Sequence, residues 1–194
     1  MIAGHFGLAA AVKSREPAAP TWALMLACVW LDVIFTPMFL AGIETMEPFG
    51  SGDGKQYGTA VIHADWTHSL VGALLLSALF GWVCARWWGR RIGSVLGAVV
   101  FSHWLLDLPM HHRDMPLLPG NAGHLPLLGL GLWSVPAASA LLELALVCVG
   151  TWLYWRAALR ATEKAGTNPR PAHVIGIAIA LSGVLTLALN LAGL

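Results

Sequence analysis

Charge is scarce in this chain. Of 194 residues, 11% are Asp, Glu, Lys or Arg, against about 25% in soluble domains, while 57% are hydrophobic. Several apolar runs are long enough to cross a bilayer, so the composition points to an integral membrane protein whose first partner is lipid. The net charge is +1, and no basic patch suggests a nucleic-acid partner. Cysteine is nearly absent. Cys28, Cys84 and Cys148 lie inside apolar runs and form no C-x-x-C, which argues against a disulfide framework or a thiolate metal site. No repeat is evident. G-x-S-x-G and H-E-x-x-H are both missing, which argues against a serine hydrolase and an intramembrane zinc protease of the site-two type. The first apolar stretch is short, and Lys13 and Arg15 follow it rather than precede it, which is not the order of a signal peptide.

What is present is a series of apolar runs. Residues 22–41, 70–88, 92–108, about 132–155 and 173–194 can each form a helix of roughly the 20 residues that a bilayer needs. None alternates as a strand would, and in lipid only helices or closed barrels satisfy the backbone. The expected fold is therefore all-α: a single integral membrane domain over residues 1–194, with five transmembrane helices. Cations support this count. Lys13 and Arg15 precede the first run. Arg86, Arg90 and Arg91 join the second and third. Arg156, Arg160, Lys164 and Arg170 join the fourth and fifth. With five passes these nine lie on one side, and only Lys55 and Arg113 lie opposite. The positive-inside rule puts the N-terminus in the cytoplasm and the C-terminus outside. Residues 1–12 are apolar but too short to span. As a helix they put His5 about 12 Å from Lys13, so a half-helix rising into the bilayer is expected, with an interfacial helix as the alternative. The outer segment 44–66 is Gly-rich and reads as a polar loop. The second outer segment, 109–130, holds four prolines and a histidine pair.

Inside the apolar runs sit ionisable residues: Asp32, His68, His103, Asp107 and Glu143. Each costs about 3 kcal/mol at a helix centre on insertion scales, and such groups pair, line a cavity or bind something. His103 and Asp107 are four apart and share a helix face about 6 Å along the axis. His111 continues that stripe beyond Pro109, which is expected to kink or end the helix. His63 and His68 are five apart and do not stack on a regular helix, and Thr67 or Ser69 is the expected cap there. Taken singly, each residue has a structural explanation. Asp32 can bond a neighbouring side chain, Glu143 can be a packed carboxyl, and His5 can touch headgroups. His112, His124 and His173 sit at run ends or in loops, and no ligand role is expected of them. Taken together, a bound cation relieves all the burial costs at once. Imidazoles with carboxylates and no thiolate suit zinc, manganese or iron(II). The implied chemistry is hydrolysis by a metal-activated water, with Asp107 and Glu143 as the expected catalytic carboxylates. Arg113 and Asp114 are expected to orient substrate at the mouth. Trp133 and Ser134 either line the cavity or simply start a helix. The alternatives are a non-enzymatic haem protein using His68 and His103 and a proton or metal-ion pathway. A transport pathway predicts polar residues reaching both surfaces, and the inner halves of the second to fourth runs are apolar. The last run, rich in Ala, Gly and Leu, is expected to pack against a second copy.

The segments "GHFGLA" (4–9), "WLD" (30–32), "THSL" (67–70), "SHWLLDLPMHHRDMPLLPG" (102–120), "GLGLWSVPAASALLE" (129–143) and "WLYW" (152–155) resemble a bacterial family of membrane-bound metal-dependent hydrolases. That family is distantly similar to the zinc-dependent phospholipase C and S1/P1 nuclease group. The resemblance runs to about Trp155. It implies metal ligation by His5, Asp32, His68, His103, Asp107, His111 and Glu143. It also implies one to three divalent ions, Zn2+ above all, and a phosphoester or phospholipid substrate. The chain departs from the better-known branch at "HADWTHS", at the setting of Asp32, and at Ser139, where a His would precede Glu143.

Overall fold

A computed structural model describes residues 1–50 and 58–192. The all-α class holds. Six α-helices run through the described residues: α1 (Ile2–Arg15), α2 (Thr21–Cys28), α3 (Trp30–Leu40), α4 (Leu70–Met110), α5 (Pro136–Ala165) and α6 (Arg170–Leu191). Three of them, α4, α5 and α6, are long and apolar enough to cross a membrane, and α2 with α3 makes a fourth candidate if that bent pair is one span.

The first apolar run is not one helix. It breaks at Val29 (φ −121°, ψ 12°), and α3 leaves α2 at 51°. The Val29 amide turns back to the Leu26 carbonyl at 3.3 Å, and the break leaves the Cys28 carbonyl at the end of α2 open to a side-chain donor.

The second and third runs merge into α4, whose 41 residues would extend about 60 Å if straight. At Gly89 the backbone takes φ 81°, ψ 164°, a conformation open to glycine. There the helix folds back into two arms, 70–88 and 90–110. The arms pack through small residues. A Cβ on Gly97 would sit 2.9 Å from the Ser77 carbonyl oxygen, and one on Gly81 would sit 2.8 Å from that of Gly93. Helix pairs in lipid approach through such residues because apolar side chains gain nothing by leaving lipid for each other. The large apolar side chains accordingly face out: Leu75, Leu79 and Trp82 on α4, and Leu181 and Leu185 on α6, are exposed.

α1 lies along α5. A Cβ on Gly150 would overlap the Gly7 carbonyl oxygen, and one on Gly4 would meet Leu146. Residue numbers rise together along both helices, so α1 and α5 run parallel. The chain enters α1 beside Glu143 and leaves it at Lys13 and Arg15. At that end Arg91 beside the α4 turn pairs with Glu16 at 2.7 Å. The basic segments around Arg15 and Arg91 therefore share one end of the molecule.

The segment expected as a polar loop, 44–66, contains an antiparallel ribbon instead. β1 (Thr45–Pro48) pairs with β2 (Ala60–His63), with Thr45 opposite His63 and Pro48 opposite Ala60. Thr and β-branched residues flank the glycines, and these short strands escape a composition-based reading. Lys55 and the rest of 51–57 lie outside the described residues. The fourth run begins later than expected, at Pro136, after a 3-10 turn at Leu132–Ser134. The outer segment 109–135 lies against the start of α4. The amides of Leu70 and Val71 donate to Pro116 and Leu117 at 3.0 and 3.1 Å, which satisfies orphan donors of a buried helix end.

Candidate metal centre

Four segments deliver the ionisable residues to one place. His5 comes from α1 and Asp32 from the first turn of α3. His68 precedes the Ser69 N-cap of α4, whose Oγ accepts the Gly72 amide at 3.1 Å. His103 and Asp107 lie on the second arm of α4. The helix continues through Pro109, and His111 closes it as C-cap, with its amide on the Asp107 carbonyl at 2.9 Å.

The imidazoles face inward through Nε2. His103 Nε2 stands 3.0 Å from Asp107 Oδ2 and 3.5 Å from Asp32 Oδ1. His68 Nε2 is 3.6 Å from Asp32 Oδ1 and 3.3 Å from His103 Nε2. His5 Nε2 is 3.2 Å from Asp107 Oδ1, and His111 Nε2 is 3.9 Å from Asp107 Oδ2. The His5 and His103 rings stack with centroids 3.8 Å apart. Two sets have donor atoms within 4.8 Å of one another: His5, His103 and Asp107, and Asp32, His68 and His103. The two oxygens of Asp107 face different histidines, Oδ1 toward His5 and Oδ2 toward His103.

Three of the outer Nδ1 atoms are held by partners. That of His103 meets the Cys28 carbonyl at 2.8 Å, at the break between α2 and α3. That of His68 meets Thr67 Oγ1 at 2.9 Å. That of His111 meets Asp114 Oδ1 at 3.0 Å. Metal-bound histidines carry this pattern, because a hydrogen bond at the outer nitrogen fixes the tautomer and aims the other lone pair. Among the described residues, His5 Nδ1 is buried with no hydrogen-bond partner, while His5 Nε2 and Asp107 Oδ1 face each other at 3.2 Å, with the Met1 amine 3.8 Å from Oδ1. A buried polar group left without a partner costs about 1–3 kcal/mol. Imidazole and carboxylate lone pairs converging in a buried site are the donor set of a divalent cation. These groups could hold a metal ion. Asp32, His68, Asp107 and His111 also line a cavity of about 350 Å³, walled by Phe35, Ile62 and Trp133.

Not every candidate joins the cluster. Glu143 is buried on α5, where its Oε2 accepts the Gly4 amide at 3.2 Å. It thus holds α1 one residue from His5 and stands outside the two tight groups. Asp114 is not at the mouth as expected. It is 2% exposed and bridges His111 to the Ile62 amide of β2, at 2.9 Å from Oδ2. Arg113 is exposed. Trp133 lies against His111, with ring centroids 4.4 Å apart, while Ser134 faces His112 Nδ1 at 3.5 Å. His63 pairs with Glu47 in the ribbon at 3.7 Å. His112 stacks on Phe49 at 3.7 Å and bonds the Gly58 carbonyl. His173 accepts from Trp155 at the far end, and His124 is exposed. The sequence reading missed Glu44, which is fully buried. Its only sequence signal was a carboxylate at the edge of a Gly-rich segment.

No family model, curated protein or solved structure matches the chain. The fold and site by themselves define an α-helical protein of membrane type with buried His/Asp groups able to hold a metal ion.

Proposed function

We propose that this chain is a membrane-embedded, zinc-dependent hydrolase acting on an amphiphilic substrate, with a phosphoester or phospholipid headgroup favoured. The observation that carries the reading is the convergence of four imidazole Nε2 atoms on Asp32 and Asp107 at the wall of a cavity. A divalent ion there supplies Lewis acidity toward a phosphoryl oxygen and a water acidic enough to react near neutral pH. His5, His68, His103 and His111 provide neutral donors. Asp107, with one oxygen toward His5 and the other toward His103, suits more than one ion. Asp32 lines the cavity with 41% of its side chain accessible, so it is the carboxylate placed to take a proton beside a bound headgroup. Glu143 keeps His5 in register through Gly4. Phe35, Ile62 and Trp133 give the cavity apolar walls suited to the upper part of an acyl chain.

Counting α2–α3 as one broken span and the arms of α4 as two gives five passes. The basic ends around Arg15, Arg91 and Lys164 would then lie in the cytoplasm of a bacterial cell, with the site toward the outer leaflet. The haem alternative leaves unexplained the buried Asp107 carboxylate, which stands 3.9 Å from His68 Nε2 and 3.0 Å from His103 Nε2, since two imidazoles suffice for a haem iron. The ion-pathway alternative meets Ala9, Ala10, Val147 and Gly150, all buried toward the basic end.

Elemental analysis of the chain purified in mild detergent tests the reading first. Bound zinc that is lost in the His103→Ala, Asp107→Ala double variant is expected, followed by zinc-dependent release of headgroup from phospholipid vesicles. A chain with no tightly held metal, or a double variant that keeps its full complement, overturns it.

A further inference from the structure

Glu44 sits between α3 and β1 and is 0% exposed. A buried carboxylate needs donors, and this one has several. Oε1 accepts the Trp66 amide at 2.9 Å and the Thr67 amide at 2.8 Å. The Thr67 hydroxyl stands 3.1 Å from Oε1 and 3.0 Å from Oε2, and 2.9 Å from His68 Nδ1. A hydroxyl has one proton and a carboxylate has none to give. The Thr67 proton therefore goes to Glu44, and the Thr67 oxygen is left to accept from His68. That requires the His68 proton on Nδ1. The Nε2 lone pair is then free, and it faces Asp32 Oδ1, His103 Nε2 and Asp107 Oδ2 at 3.3–3.9 Å.

We infer that Glu44 is a positioning residue which, through Thr67, holds His68 in the Nδ1–H tautomer with Nε2 free for a cation. It touches neither substrate nor reacting atoms and acts through Thr67 and His68. The inference rests on the metal-site reading for its purpose, but the tautomer itself does not depend on a metal. The wiring is directional, which makes it testable. In Glu44→Gln the amide oxygen can keep both backbone amides. The amide NH2 then donates to the Thr67 oxygen, the hydroxyl turns to donate to Nδ1, and the proton moves to Nε2, where it blocks the cation. Thr67→Val is similar in shape and cuts the relay. Thr67→Ser keeps it.

The test uses the full chain in detergent micelles, metal-free, with ring-15N histidine, and with His68 assigned by its loss in His68→Gln. Nδ1–H is expected in the parent and in Thr67→Ser, Nε2–H in Glu44→Gln, and a mixture of both in Thr67→Val. Chelator competition with zinc alone is expected to weaken about 10–100-fold in Glu44→Gln and Thr67→Val and to stay near parental in Thr67→Ser. Nε2–H in the parent, or Nδ1–H unchanged in both Glu44→Gln and Thr67→Val, overturns the inference. If Glu44→Gln does not fold, the Thr67→Ser and Thr67→Val pair decides, because both leave the two backbone amides on Glu44. A parent chain that binds no zinc overturns the metal-site reading, while the tautomer measurement still decides the role of Glu44.

Discussion

His103 and Asp107 are one helical turn apart on the second arm of α4, and His103 Nε2 approaches Asp107 Oδ2 to 3.0 Å. The same imidazole is held from behind by the Cys28 carbonyl at 2.8 Å, which the break at Val29 makes available. A local i, i+4 pair is thereby tied to a different, broken helix. His103 also belongs to both tight donor sets, so it joins the two halves of the site.

The central position of His103 leads to the first prediction. Single His103→Ala is expected to remove more zinc than single His5→Ala or His68→Ala, each of which leaves one of the two sets complete. Equilibrium dialysis of the purified variants against zinc measures this. Equal losses in all three would contradict a shared ligand.

Asp114 gives a second test. It holds His111 at 3.0 Å and the Ile62 amide at 2.9 Å. Asp114→Asn can keep one acceptor oxygen but not both bonds. Zinc affinity is expected to fall about 10-fold or more with far-UV circular dichroism unchanged. Arg113→Ala, which changes an exposed side chain, is expected to leave zinc affinity at the parental level.

The close approach of α1 to α5 makes a third prediction. Any side chain at Gly150 overlaps the Gly7 carbonyl oxygen. Gly150→Leu is expected to cost about 2 kcal/mol or more, as overpacking does, and to move α1, and with it His5. Reversible unfolding in mixed micelles reads the stability. Zinc affinity measured below the transition reads the displacement of His5.

Topology is the fourth. In a cysteine-free background, Arg113→Cys and Asn168→Cys place single thiols at opposite ends. An impermeant maleimide added to intact cells is expected to label the first alone, and the second only after lysis. Labelling of both, or of Asn168→Cys alone, removes the five-pass arrangement.

Much of the fold was legible because the bilayer simplifies the problem. Long apolar runs must be helices there, and cations must segregate. Arg86, Arg90 and Arg91 between the second and third runs placed the α4 turn, and the structure puts its hinge at Gly89. The α2–α3 break was not legible. "LACVWLD" carries no proline or glycine, and Pro37 lies inside α3 without ending it. The ribbon was hidden by its short strands.

The site divides in the same way. His5, Asp32, His68, His103, Asp107 and Glu143 stood out from sequence alone, because an ionisable residue in an apolar run carries a burial cost that demands an explanation. The His103–Asp107 spacing followed from helix geometry. What only the tertiary structure decided is which atoms meet. It turned Nε2 inward on four histidines, set Glu143 behind α1, and moved Asp114 from the expected mouth to the back of His111. It also brought in Glu44, Thr67 and the Cys28 carbonyl. Sequence records that a polar group is in costly surroundings. Which partner meets it depends on bends, helix crossings and hydrogen bonds between segments tens of residues apart, and no local pattern encodes those.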